Sequence, residues 1–167
     1  MKTIKSRPKN LSISVSTQPK KTLLYDKDFM KWIDNQVGYL KKGDLSNLDI
    51  DNLIEEIESL GRNDKRSLKS QLTRLLMHLL KWKYQPEKQI DSNSWKTSVS
   101  NASMEIKFLI EDSPSLKNDL IKIYSKAYLE AKQYAANETG LDIDMFDEVC
   151  PWTIQELFPE FVKSGKK

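Results

Sequence analysis

The sequence predicts an all-α fold, a compact bundle of four to five main helices followed by short C-terminal helices. Apolar residues recur at intervals of three and four along most of the chain, which is the spacing of one helix face. The five glycines and six prolines fall between these periodic segments, as expected when helices are joined by turns. No alternation of strand and helix patterns is visible, so a βα architecture is not predicted.

Charge is distributed unevenly along the 167 residues. Residues 1–24 carry six basic side chains and no acidic one, in a Ser/Thr/Lys/Pro stretch that has too little apolar surface to fold. The rest of the chain has 21 basic and 24 acidic residues and is mildly acidic. We therefore predict a disordered basic tail (1–24), a single helical domain (25–161) and a flexible basic C-terminus (162–167).

The chain has no feature that suggests a membrane or secreted protein. No apolar run approaches the roughly 20 residues that cross a bilayer, and the N-terminus lacks the apolar core of a secretory signal. The one cysteine, Cys150, cannot form an internal disulfide, which fits a reducing compartment. We expect a cytoplasmic protein with no membrane partner.

Capping residues and helix breakers place the ends of the first helices. Asp26 is expected to cap the first helix and Gly43 to end it. The second begins near Asp49. A glycine within a helix costs about 1 kcal/mol relative to alanine, so a break or kink is expected at Gly61. The apolar pattern resumes after Gly61 as a third helix, which should end before Pro86.

Similar signals place the later helices. A fourth helix is expected over residues 95–112. Ser113 and Pro114 suit the N-cap and first position of a fifth helix, and Gly140 suits its C-cap. A capping box at residues 153–156 predicts one last short helix.

Short stretches along the chain match one known family in the same order. They lie at residues 25–26, 32, 52–62, 78–82, 84–86, 94–95, 112–116, 138–141 and 150–153. In these stretches the chain resembles the bacterial family catalogued as domain of unknown function 29, which is abundant in cyanobacteria. The resemblance covers roughly residues 25–161 and implies an all-helical fold. It implies no activity, cofactor or catalytic residue.

A basic face runs beside the leucines of the third predicted helix. Its members are Arg62, Arg66, Lys69, Arg74 and Lys81. Regularly placed cations on one side of a helix could contact phosphates without reading a nucleic-acid sequence. If Gly61 folds the second and third helices into a hairpin, the same cations could instead pair with the acidic face of the second helix. They could also bind a partner protein.

The second predicted helix carries an acidic row, Asp51, Glu55 and Glu58, opposite its apolar stripe. Such a row could bind a divalent cation or supply an acid and a base. Helical di-metal sites use two Glu-x-x-His motifs that point inward, whereas this chain has one histidine. We interpret the row as a solvated face and predict no metal site or other cofactor.

His78 and Cys150 are the remaining candidates for chemistry. His78 lies at the edge of the leucine stripe and could act as a general base with Glu55 or Glu58. A packed structural histidine is the alternative. Cys150 could act as a nucleophile beside His78, or it could be a small apolar residue in the core.

Three functional hypotheses follow. The first is a cytoplasmic protein-interaction module that binds a protein partner, or a second copy of itself, through the charged second and third helices. The second is weak binding to the phosphate backbone of a nucleic acid. The third is an enzyme that uses His78 with a glutamate for acid–base chemistry, or a metal.

Overall fold

A computed structural model describes residues 22–85, 87 and 93–162. This part of the chain contains no strand and seven α-helices. They are α1 (Thr22–Lys27), α2 (Phe29–Lys42), α3 (Ile50–Tyr84), α4 (Asn93–Asp112), α5 (Leu116–Thr139), α6 (Ile154–Leu157) and α7 (Pro159–Val162). Short 3₁₀ turns lie at Leu45–Asn47 and Ile143–Met145. The four long helices α2–α5 and the short ones after them confirm the predicted all-α fold.

The two predicted terminal segments lie almost wholly outside the described residues. The exceptions are residues 22–24, which belong to α1, and Val162, which ends α7. Within the part of the chain that the structure covers, no helix combines the length and apolar character needed to cross a membrane.

The start of α2 differs from the prediction, and its end agrees with it. The N-cap of α2 is Asp28, whose Oδ1 accepts a hydrogen bond from the Lys31 N–H at 3.1 Å. The prediction that Asp26 caps this helix is wrong because the chain is already helical there, within α1. Gly43 ends α2 in the left-handed conformation, with φ 69°, as predicted for a glycine C-cap.

The helix α3 continues through Gly61, so the predicted break is wrong. A Cβ at Gly61 would have no other atom within 4 Å, and the position is exposed. An ion pair between Glu58 and Arg62, at 3.1 Å, spans the glycine and offsets part of its cost, by about 0.3–0.5 kcal/mol. The hairpin that a break at Gly61 would have allowed therefore does not form.

The start of α5 is shifted by two residues from the prediction. Its N-cap is Ser115, without a side-chain cap, because Ser113 and Pro114 form a preceding turn closed by the Leu116 N–H and the Ser113 carbonyl at 2.9 Å. Gly140 ends α5 with φ 72°. The predicted capping box at residues 153–156 is present and begins α6.

The chain clusters into two compact units, with the boundary between Ile57 and Glu58, inside α3. The N-terminal unit contains α1, α2 and the first residues of α3. Its buried hydrophobic residues are Trp32 and Leu48. The Trp32 indole N–H donates to Asp49 Oδ2 at 3.2 Å, and the Asp49 backbone N–H donates to Gln36 Oε1 at 2.8 Å. The Trp32 ring also contacts the rings of Tyr25 and Phe29, so hydrogen bonds and aromatic contacts together hold this unit.

The C-terminal unit has a continuous hydrophobic core. Leucines on the second part of α3 pack with apolar residues of α4 and α5 and with two phenylalanines that follow α5. The core consists of Leu68, Leu72, Leu75, Leu76, Leu80, Ala102, Ile106, Ile110, Leu116, Leu120, Ala127, Tyr128, Ala131, Ala135, Ala136, Phe146 and Phe158. The stripe predicted on this helix consists of Leu68, Leu72, Leu75, Leu79 and Trp82. Its first three leucines belong to the core, and Leu79 packs against it.

Candidate functional site

Two of the five basic candidates on α3 are engaged within the chain. Arg62 pairs with Glu58 on the same helix. Lys81 is only 9% exposed, and its Nζ lies 2.6 Å from Glu138 Oε2 on α5. The same Nζ lies 4.8 Å from the centroid of the Trp95 ring, so Lys81 has a carboxylate and an aromatic face as partners. Neither residue is available as a free cation for a ligand.

The other three basic candidates line one cavity of about 490 Å³ between α3 and α5, which we call the basic cavity. Its lining residues are Arg66, Lys69, Ser70, Thr73, Arg74, Met77, Glu130 and Tyr134. The α3 members recur at intervals of three and four, so they share one face of the helix. Glu130 and Tyr134 are one turn apart on α5.

Charge in the basic cavity is only partly neutralised. Lys69 Nζ lies 2.6 Å from Glu130 Oε1. Glu130 is the one acidic residue that lines the cavity, so its carboxylate is paired with Lys69. Arg66 and Arg74 are exposed and form no ion pair with any residue of the described ranges. The cavity therefore keeps two unpaired guanidinium groups at its rim.

The basic cavity also contains a hydroxyl group without a partner. Thr73 is 7% exposed, and its Oγ1 is buried with no hydrogen bond within the described part of the chain. A buried polar group usually has a partner, because leaving one unsatisfied costs about 1–3 kcal/mol. Sequence reasoning missed Thr73, since a threonine within a leucine-rich helix carries no distinctive signal.

The acidic row is exposed on α3. Asp51, Glu55 and Glu58 all face solvent, and only Glu58 has an ion-pair partner, Arg62, in the described part of the chain. Across the ranges that the structure covers, no group of three or more His, Cys, Asp or Glu side chains could hold a metal ion.

His78 is not brought together with the glutamates. Because α3 is continuous, Glu58 lies about 30 Å from His78 along the helix, at 1.5 Å per residue. Burial lowers the pKa of His78, nearby Lys81 and Arg74 lower it further, and Glu138 opposes them. His78 Nδ1 is buried without a partner among the described residues.

Cys150 contacts a tyrosine. The Tyr124 hydroxyl lies 3.1 Å from Cys150 Sγ and also donates to the Trp152 carbonyl. Burial, with the bond to Cys150, raises the pKa of Tyr124. Cys150 is partly buried, packs against the hydrophobic core and borders a second cavity of about 610 Å³ on α5, so it lies at the edge of the core. The sequence signal that could have pointed to this cluster is the i, i+4 spacing of Tyr124 and Tyr128, which places both tyrosines on one face of a helix.

The N-terminal unit has a set of exposed large hydrophobic side chains, which we call together the N-terminal apolar surface. Its residues are Phe29, Met30, Val37, Leu40, Leu45, Ile50, Ile54 and Ile57, with exposed fractions of 41–68%. The unit is also acidic, because residues 22–57 contain eight acidic and four basic side chains. Sequence reasoning identified the apolar stripe on α3 and expected it to be core.

Comparison with known proteins gives a family and no closer relative. No curated protein matches the chain, and no solved structure matches it. The model of the family described as "Domain of unknown function DUF29" matches residues 24–162, which is most of the chain and agrees with the resemblance seen in the sequence. The protein belongs to this DUF29 family, whose function is unknown.

Proposed function

We propose that the protein is a cytoplasmic interaction module whose N-terminal apolar surface binds a basic amphipathic helix of a partner protein. The observation that supports this most is the imbalance of the N-terminal unit, which exposes eight large apolar side chains and buries two. Large exposed apolar patches are typical of sites that bind another protein, and in this proposal these side chains supply such a patch.

The apolar residues of α3 have the spacing of a docking stripe. Ile50, Ile54 and Ile57 follow one another at i, i+4 and i+7, so they lie on one face of the helix. Their exposed fractions are 50%, 51% and 67%. A partner helix that presents its own apolar stripe could pack along such a face.

Charge favours a basic partner over a second copy of this chain. Asp51 and Glu55 lie next to the isoleucines, are exposed and have no ion pair with a described residue. Two copies that met through this surface would bring acidic groups together, whereas lysines or arginines on a partner helix would meet them. Such rim charges contribute more to partner choice and association rate than to affinity.

Support for the other two hypotheses is weaker. A nucleic-acid surface needs an extended row of free cations, and Arg62 and Lys81 are both paired with carboxylates. An acid–base pair needs its groups within hydrogen-bond reach, and Glu58 is far from His78 on the same helix. The cytoplasmic location in this proposal rests on the single cysteine, because a protein without an internal disulfide fits a reducing compartment.

Site-specific cross-linking in the native host tests the proposal. A photoreactive residue in place of Ile54 should cross-link to a basic amphipathic segment of a partner protein, identified by mass spectrometry of the joined peptides. A synthetic peptide of that segment should then bind the purified protein. Ile54→Asp should weaken this binding at least tenfold, because it places a charge in the apolar contact.

Matched variants separate a specific contact from general loss of apolar surface. Ile121→Asp changes an isoleucine of the C-terminal unit that is 64% exposed and should leave peptide binding unchanged. Asp51→Lys together with Glu55→Lys should weaken binding and reduce its salt dependence. Cross-linking mainly to a second copy, or to an acidic segment, would contradict the proposal.

A further inference from the structure

We propose that the basic cavity binds the phosphate group of a small phosphorylated metabolite. This inference concerns α3 and α5 of the C-terminal unit and does not depend on the proposed protein interaction, which uses the N-terminal apolar surface.

The charge of the cavity suits a phosphate monoester. Arg66, Lys69 and Arg74 supply three positive charges on one face of α3, and Glu130 neutralises one of them through its contact with Lys69 at 2.6 Å. Two positive charges remain, both on guanidinium groups. A phosphate monoester carries a charge of about −1.5 to −2 at neutral pH, and guanidinium forks bind its oxygens with paired hydrogen bonds.

Thr73 adds a neutral donor to the same cavity. It lies on α3 between the two arginines, it lines the cavity, and its hydroxyl has no partner within the described part of the chain. The hydroxyl has no acceptor for its hydrogen atom, and a phosphate oxygen could accept that hydrogen bond. The cavity therefore combines two unpaired charged donors and one neutral donor from the same helix.

The size and walls of the cavity favour a small molecule over a polymer. A volume of about 490 Å³ lies within the range of about 300–1,000 Å³ found for small-molecule sites. Met77 and the Tyr134 ring supply an apolar wall for the part of the metabolite that carries the phosphate. The basic candidates of α3 on either side, Arg62 and Lys81, are paired with carboxylates, so the unpaired members of the predicted basic face are the two arginines at the cavity.

A titration followed by backbone amide NMR tests this site on the full chain. The probes are inorganic pyrophosphate and adenosine 5′-monophosphate, in about 0.15 M salt. We expect saturable shifts of amides in residues 66–77 and 130–134, with dissociation constants below about 1 mM. Arg66→Gln and Arg74→Gln should each weaken binding about tenfold, the size expected for loss of a charged hydrogen bond.

Two further variants control for charge and for folding. Arg62→Gln removes a cation of α3 outside the cavity and should leave both dissociation constants unchanged. Thr73→Val keeps the side-chain shape, and we expect weaker probe binding with no loss of thermal stability, because the lost hydroxyl has no internal partner.

Three results would overturn the inference. One is the absence of saturable shifts with either probe at 10 mM. Another is an equal loss of affinity in Arg62→Gln and Arg66→Gln, which would indicate general electrostatic attraction. The third is much tighter, steeply salt-dependent binding of a 12-nucleotide single strand than of either probe, which would identify a nucleic-acid surface. None of these results bears on the partner helix proposed for the N-terminal apolar surface.

Discussion

The N-terminal and C-terminal units differ in how many apolar residues they bury. The C-terminal unit places seventeen residues in one core. The N-terminal unit buries two hydrophobic residues, and there the Trp32 indole donates a hydrogen bond to the Asp49 carboxylate while the Asp49 backbone N–H donates one to the Gln36 side chain. Burial of apolar surface is the main stabilising contribution in folding. The comparison indicates that the C-terminal unit has the larger buried core and contributes more of the stability, while the N-terminal unit carries the surface that we propose for partner binding.

The same contrast is visible within the single helix α3. Ile50, Ile54 and Ile57 near its start are at least half exposed, whereas Leu68 and Leu72 further on are fully buried. Both sets follow helical spacing, so the apolar pattern is the same in the two parts. Periodicity therefore shows which face of a helix is apolar, and it leaves open whether the chain itself covers that face.

The largest expected difference is between two isoleucines, one from each unit. Ile106→Ala removes a side chain that is fully buried in the C-terminal core and should lower the free energy of unfolding by about 2–5 kcal/mol. Ile54→Ala, at an exposed position, should change it by less than about 0.5 kcal/mol. Urea unfolding followed by circular dichroism measures both. Equal losses would show that the N-terminal apolar surface is covered within the chain.

A smaller and more local loss is expected for Asp49→Ala. This change removes the carboxylate that accepts hydrogen bonds from Trp32 and, at 2.8 Å, from Asn52. Leaving buried donors unpaired costs about 1–3 kcal/mol. Hydrogen exchange should therefore accelerate in residues 22–57 and stay unchanged in α5.

The neighbouring exposed Asp51 provides the control for this variant. Asp51→Ala should alter exchange in neither unit. Faster exchange in α5 for Asp49→Ala would mean that the two units unfold as one.

Gly61→Ala should stabilise the protein by about 0.5–1 kcal/mol, because alanine is the better helix former and its Cβ would meet no other atom. Gly140→Ala should destabilise it, because Gly140 has a positive φ of 72° that alanine adopts poorly. Thermal unfolding of the two variants gives the comparison. A destabilising Gly61→Ala would indicate that α3 bends at this position in solution.

The smallest effect is expected for His78 and appears as pH dependence. Burial lowers the pKa of His78 from 6.5, so between the lowered pKa and 6.5 the unfolded chain binds more protons than the folded one. Stability should therefore fall as the pH drops below 6.5. The carboxyl groups with lowered pKa, Asp147, Glu156 and Glu160, start from 3.8 to 4.5 and act at lower pH.

Replacing the only histidine tests this assignment. His78→Gln should flatten the dependence of the unfolding free energy on pH just below 6.5, measured by urea unfolding at several pH values. An unchanged slope would show that His78 titrates as it does in the unfolded chain.

The local elements were predictable where one residue determines the geometry. The left-handed glycines Gly43 and Gly140 were expected from their positions after periodic segments, and the capping box at residues 153–156 was expected from its spacing. The prediction failed at Gly61, where the flanking residues and the Glu58–Arg62 pair keep the helix continuous. It also failed at Asp26, because the short helix α1 has no apolar periodicity long enough to recognise.

The candidate sites were predictable only in part. Arg66, Lys69 and Arg74 were identified as a basic face, but α5 contributes Glu130 and Tyr134 to the same cavity, and no local pattern shows which helices pack together. The exposed state of Ile50, Ile54 and Ile57 depends equally on tertiary packing. The spacing along a helix shows which residues share a face. Which faces contact one another depends on how the helices pack.

The exposed N-terminal apolar surface has a consequence for the amount of protein that a cell retains. Chaperones and proteases continuously remove chains with weakly stabilised parts, and the N-terminal unit has few buried side chains of its own. Binding of a partner stabilises the folded form by mass action. We therefore expect the level of this protein to follow the level of its partner, so that deletion of the partner's gene shortens the lifetime of the protein without changing its messenger RNA.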